Sequence, residues 1–152
     1  MRAYLIRHGH AVSADTAGAD DRRWLSEQGR AQLVGVAERL RDLRVSFDAV
    51  VCSPLVRAVQ TAELLAGAVG FTGAVEVTAA LAPGAPADRA EDELAARGVA
   101  VAAVGHEPGI SALAARLCGR LLRPFRPGQV ACVDGGALAW WIDPDAGIVR
   151  PA

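Results

Sequence analysis

Lysine is absent from the 152 residues, so all 16 basic side chains are arginines. With alanine abundant, that bias reflects a GC-rich genome, yet it has a chemical consequence. Any anion bound here meets guanidinium groups, whose planar forks suit bidentate contact with oxyanions. Charge of one sign is not in excess either. A formal net charge of -1 gives no field to draw nucleic acid or an anionic membrane, and neither partner is expected. Cysteine is scarce. Cys52, Cys118 and Cys132 are odd in number and lack metal-ligand spacing, which argues against a disulfide framework and fits reduced thiols. No apolar run approaches the ~20 residues that span a bilayer. The amino terminus, MRAYLIRHGHAV, has neither the apolar length nor the small-residue cleavage pattern of a signal peptide. A cytoplasmic protein is expected, as a monomer or weak homo-oligomer.

The apolar fraction of 52% against 22% charged residues is that of a globular chain able to bury a core. Apolar runs alternate with helical patterns, which predicts an α/β fold with a largely parallel sheet. Strands are expected at 3–7, 47–52, 74–77 and 99–104, with a hairpin at the sheet edge from 129–133 and 137–142 around Asp134-Gly135-Gly136. Ser26 is expected to cap a helix reaching Leu43, with Leu33, Val36, Ala37, Leu40 and Leu43 at helical spacing. Ser53-Pro54 reads as an N-cap followed by proline at the first helical position, opening a helix to Ala68. Further helices are expected at 88–97 and, after Pro108, at 109–117. The stretch 13–23 reads as a polar, Asp-rich loop. The basic, proline-rich stretch 120–127 is too short to separate domains, and 1–152 is read as a single domain.

Three motifs fall at strand ends: Arg7-His8-Gly9, Ser53-Pro54-Leu55-Val56-Arg57-Ala58 and Gly105-His106-Glu107-Pro108. In an open parallel sheet the ligand crevice lies beyond the carboxyl ends of the strands, so these motifs would meet there. Two histidines and two arginines then suit phosphoryl transfer. A neutral imidazole can attack phosphorus and carry the group covalently. Guanidinium charges would lower its pKa and stabilise the transition state. Arg57, in the first turn of its helix, would act beside free N–H groups, and Gly9 would let the backbone pass close to the phosphate. Singly, each motif has a plain alternative: a solvated strand end, a helix start with a surface charge, a hydrogen-bonded loop histidine. Their shared order and placement make the combination specific.

These stretches, with Arg23-Trp24-Leu25-Ser26-Glu27-Gln28-Gly29 and the run from Cys52 to Ala62, resemble the histidine phosphatase superfamily, the phosphoglycerate-mutase-like fold. The sequence looks most like its small SixA-type phosphohistidine phosphatases. The resemblance runs in order over nearly the whole chain. It implies a three-layer αβα sandwich, phosphorylation of His8, phosphoryl binding by Arg7 and Arg57, and contact from the far side by His106. It implies no metal or cofactor.

Many relatives place a carboxylate acid in a loop after the second helix, but residues 81–87 hold none until Asp88. Glu76 and Glu107 are the fallback candidates. Without an acid, a phosphoramidate substrate is favoured, because imidazole leaves phosphorus easily whereas an alkoxide needs a proton. The expected partner is therefore a phosphohistidine-bearing signalling or phosphotransfer protein. The alternatives are a small phosphorylated substrate or a non-catalytic phosphate-binding module.

Gly9, Arg23, Ser53 and Glu107 are secondary binding candidates. Arg23 reaches the pocket or forms a surface salt bridge; Ser53 caps its helix or contacts phosphate; Glu107 orients His106, donates a proton, or is a solvated charge. Trp24, Trp140 and Trp141 could rim a binding surface, with at least one of the adjacent pair in the core. His10 is given no catalytic role. A cysteine phosphatase is rejected because only four residues separate Cys52 from Arg57, whereas that loop needs five. A metal site on His8, His10 and His106 is disfavoured by the nearby arginines and the lack of a carboxylate ligand.

Overall fold

A computed structural model describes residues 1–150. Its strands are β1 (Arg2–Arg7), β2 (Ala49–Cys52), β3 (Val75–Val77), β4 (Ala100–Gly105), β5 (Val130–Asp134), β6 (Ala137–Asp143) and β7 (Gly147–Val149). Its helices are α1 (Ala14–Ala17), α2 (Glu27–Asp42), α3 (Val56–Ala68), α4 (Ala87–Ala95) and α5 (Gly109–Cys118). All seven strands join one sheet in the order β3-β2-β4-β1-β5-β6-β7. The first four in that order are parallel to one another, and β5, β6 and β7 are each antiparallel to the preceding neighbour.

Side chains alternate across a strand, and the core divides accordingly. Tyr4, Ile6, Val50, Cys52, Ala102 and Val104 face the cluster built on α2 and α3. Ala3, Leu5, Val51, Val101 and Ala103 face the one built on α4 and α5. Strands covered on both faces read as unbroken apolar runs, which is why β1, β2 and β4 were recognisable. The result is an α/β fold of three layers, helices on each side of a mostly parallel sheet.

In α2, the Ser26 hydroxyl accepts the Gly29 N–H at 3.0 Å, and Leu33, Val36, Ala37 and Leu40 form its buried stripe. The start of α3 corrects the sequence reading. Its cap position is Leu55, without a side-chain bond, and the helix begins at Val56, so Ser53 is no cap and Pro54 is not its first residue. The Ser53 hydroxyl is taken instead by His106, at 2.7 Å from Nε2, and by the Leu55 N–H at 3.2 Å.

The polar loop before α2 holds the short α1, capped by Ser13, and a 3-10 turn at Asp20–Arg22. The hairpin is interior, not at the edge: β5 pairs with β1, and β7 follows as the outer strand. The Asp143 carboxylate makes that last turn by accepting the N–H groups of Asp145 and Ala146. Trp140 and Trp141 point to opposite faces, each half-buried at the margin of a different cluster, so neither sits fully in the core.

Candidate active site

The order β2-β4-β1 sets the carboxyl ends of those strands side by side. Pairing continues one residue past the strands: the His8 N–H donates to the Gly105 carbonyl at 3.1 Å, and the Ser53 N–H to the Val104 carbonyl at 2.9 Å. His106 thus emerges between Ser53 and His8. The two imidazoles lie with ring centres 5.0 Å apart and planes inclined at 53°. Arg57 reaches over from the first turn of α3, its Nε 3.4 Å from His8 Nε2. His8, His106 and Arg57 are all buried.

The hydrogen bonds assign the proton of His8. His8 Nδ1 lies 2.8 Å from the Gly9 carbonyl, an acceptor only, so Nδ1 carries the hydrogen and Nε2 keeps its lone pair. Ser53 Oγ accepts from the Leu55 N–H with one lone pair, and its second lone pair and its own proton let it meet either tautomer of His106 at Nε2. Among the described residues, two buried side-chain polar atoms have no hydrogen-bond partner: Arg7 Nε and His106 Nδ1. Arg7 Nε is a donor, and His106 Nδ1 is one when the ring carries its proton there. Buried polar atoms are rarely left unpaired, and an oxyanion would satisfy both donors.

Burial is the main reason that His8 titrates at about 3 instead of its ordinary 6.5. Its hydrogen bond to Gly9 opposes the shift, while His106, Arg57 and Arg7 add to it. Burial likewise lowers His106 to about 4, helped by Arg57 and Arg7 and opposed by Asp20. The sequence reading placed the weight on the guanidinium groups; loss of water contributes more. Both rings are neutral at physiological pH.

Arg57 is held by a residue that the sequence reading passed over. Its Nη1 donates to the Asp20 carbonyl at 2.8 Å and its Nη2 to Asp20 Oδ2 at 3.3 Å. Arg23 meets the same aspartate through Nη1 at 3.3 Å and anchors the loop through Nε to the Val12 carbonyl at 2.7 Å. Its guanidinium therefore braces the Asp20 turn. Arg23 and Arg57 keep the Asp20 carboxyl below its ordinary pKa, so it stays ionised. Nothing local distinguishes Asp20 among the aspartates of that loop. Thr61 was also missed, though its position four residues after Arg57 is a usable signal. Its hydroxyl donates to the Arg57 carbonyl at 2.7 Å and accepts the Gly9 N–H at 3.0 Å, tying the loop after His8 to α3.

The remaining candidates have structural partners. A Cβ on Gly9 would lie 2.9 Å from Leu33 Cδ1 and 3.1 Å from Leu25 Cδ2, so the space that glycine leaves is filled by core side chains of the α2 layer. Glu107 accepts the Ser111 hydroxyl at 2.7 Å and the Phe125 N–H at 3.1 Å, and the Phe125 carbonyl accepts Arg7 Nη1 at 2.6 Å. Glu76 pairs with Arg97. His10 is exposed and lies 2.6 Å from the Ser26 hydroxyl. Burial raises the Cys52 thiol to about 11, as a core side chain. Among the described residues, no three histidine, cysteine or carboxylate side chains gather closely enough to hold a metal.

The model of the histidine phosphatase superfamily (branch 1) matches residues 3–82, more than half of the chain. The chain belongs to the histidine phosphatase superfamily. As a superfamily member it resembles the structure of the protein histidine phosphatase SixA complexed with tungstate, with a TM-score of 0.82, 25% identity, and coverage of 95% of this chain and 97% of that one. A SixA-type structure from Nakamurella multipartitia matches with a TM-score of 0.76 and 26% identity over 95% of this chain and 96% of that one. Among curated sequences, the mitochondrial serine/threonine-protein phosphatase Pgam5 of Drosophila willistoni is 39% identical over 83 residues, 54% of this chain and 28% of that protein. The matches span less than half the length of such curated relatives. No helix among the described residues is long and apolar enough to cross a membrane.

Proposed function

We propose that this protein is a phosphatase working through a phosphohistidine on His8, and that its substrate is phosphohistidine on a signalling or phosphotransfer protein. The carrying observation is the state of His8: neutral, its Nδ1–H held by the Gly9 carbonyl, its Nε2 lone pair 3.4 Å from Arg57 Nε. The kinship with SixA supports the substrate class.

In the first step His8 Nε2 attacks phosphorus while the bond from phosphorus to the substrate nitrogen breaks. The bonding pair goes to that nitrogen, and the imidazole leaves neutral when its other nitrogen carries a proton. Arg57 Nε, Arg7 Nε and His106 Nδ1–H supply donors to the phosphoryl oxygens as charge develops. In the second step water attacks phosphorus, the bond to His8 Nε2 breaks, and inorganic phosphate departs. Both steps expel an imidazole. A site able to release its own histidine needs no extra acid to release the substrate's.

That symmetry accounts for the lack of a suitable carboxylate. The carboxylates beside the pocket are engaged, Glu107 by Ser111 and Phe125 and Asp20 by Arg57 and Arg23. An alkyl phosphate, whose leaving group needs a proton, should turn over far more slowly.

The test is turnover of a histidine-phosphorylated phosphotransfer protein by wild type and His8→Ala, with trapping of acid-labile phosphate on His8. Equal activity of His8→Ala would sink the nucleophile assignment. Alkyl phosphates hydrolysed as fast as the phosphoprotein would sink the substrate class.

A further inference from the structure

On the α4 and α5 side of the sheet, a cleft of about 580 Å³ opens between the segment 120–126 and the outer strands. Its floor is apolar, formed by Ala131 of β5 and by Leu138 and Trp141 of β6. Leu121 stands at its rim, 93% exposed. Three arginines line it, and they differ in one respect. Arg126 is neutralised by Asp143 and Asp145, whereas Arg120 and Arg123 have no ion-pair partner among the described residues. In a chain of net charge -1, this is a local positive rim over an apolar floor.

The cleft is joined to the edge carrying the histidines through Phe125. Phe125, in its wall, accepts Arg7 Nη1 and donates its N–H to Glu107, the residue after His106. Strand register gives its direction. Ala131 pairs with Trp141, one position from the Ile6–Val130 pair beside the pocket, while Leu138 pairs with Val133 further from it. The cleft therefore runs from the edge carrying the histidines toward the opposite edge.

A buried site that takes the phosphorylated side chain leaves the rest of a protein substrate outside. The backbone on either side of that residue must cross the rim. We infer that this cleft docks the phosphorylated protein itself, taking an acidic segment with interspersed apolar residues. Its carboxylates meet Arg120 and Arg123, and its apolar side chains meet Leu121 and Trp141. Opposite charge fits the two unneutralised guanidinium groups, and exposed apolar surface beside them fits the centre of a protein contact. This rests on the phosphohistidine-protein reading of the pocket.

The experiment uses two substrates: an acidic histidine-phosphorylated phosphotransfer protein, and phosphoimidazole, which reaches only the pocket. In the double variant Arg120→Glu/Arg123→Glu, kcat/KM on the protein should fall about tenfold or more through KM, with phosphoimidazole turnover unchanged. The paired Arg120→Lys/Arg123→Lys variant should restore most of the loss. Raising salt should slow wild type on the protein and spare the charge-reversed variant. Unchanged kcat/KM on the protein would overturn the docking surface. So would an equal loss on both substrates, since that marks damage carried to Arg7 through Phe125. Wild-type turnover of phosphoimidazole without turnover of the protein overturns docking and leaves the pocket chemistry standing. Wild-type inactivity on both brings down the pocket assignment and this surface with it.

Discussion

In the parallel half of the sheet, each strand runs out into a buried polar side chain: His8 after β1, Ser53 after β2, Thr78 after β3 and His106 after β4. Arg57 and Thr61 add to them from α3. In the antiparallel half, no charged or polar residue is buried among those described. Its charges pair near the surface instead, Arg126 with Asp143 and Asp145, and Asp134 with Arg2 at the start of β1. The difference follows from direction. Parallel strands all deliver their carboxyl ends to one edge, so several loops can pool side chains there. A hairpin turns at alternating edges and cannot. Burying polar groups is costly unless they are bonded, and it is confined here to that single edge.

The sharpest way to break the contrast is at His8. His8→Ala should lower turnover by about 10⁴-fold or more, with circular dichroism and the melting curve retained. A variant that kept its activity would mean that the parallel edge is merely structural. Arg57→Ala should cost about 10²- to 10³-fold in kcat. Arg57→Lys should recover little, because an ammonium cannot face His8 while holding the Asp20 carbonyl and carboxylate together.

Gly9→Ala probes packing instead of chemistry. Its Cβ would press on Leu33 and Leu25, and a loss of about 1–3 kcal/mol is expected in urea denaturation. Stability should also fall with pH in a particular window. With His8 and His106 lowered to about 3 and about 4, the unfolded chain takes up protons below pH ~6.5 that the folded one refuses. Folding free energy should then decline from pH ~6.5 toward ~4, and His8→Gln/His106→Gln should flatten that slope. The smallest effect belongs to the antiparallel half. Arg126→Ala removes two surface ion pairs and should leave the melting temperature and phosphoimidazole turnover unchanged.

The fold was legible where burial is two-sided and regular. β1, β2 and β4 declare themselves as apolar runs, and the stripe from Leu33 to Leu40 declares α2. Elements made by side chains bonding to distant or irregular backbone were not. The Asp20 turn depends on Arg57, 37 residues away, and β7 depends on the Asp143 turn. Ser53-Pro54 has the form of a helix start, yet the Ser53 hydroxyl meets His106 and the helix begins two residues later.

By itself the sequence determined the family and the strand ends that carry Arg7, His8, Arg57 and His106, because these reside in residue identity and local period. Tertiary structure decided what those residues are: that Nδ1 of His8 holds the proton, which buried polar atoms are unpaired, and that Asp20 grips Arg57. Those properties arise from burial and from contacts between segments far apart in the chain, and local pattern does not encode either.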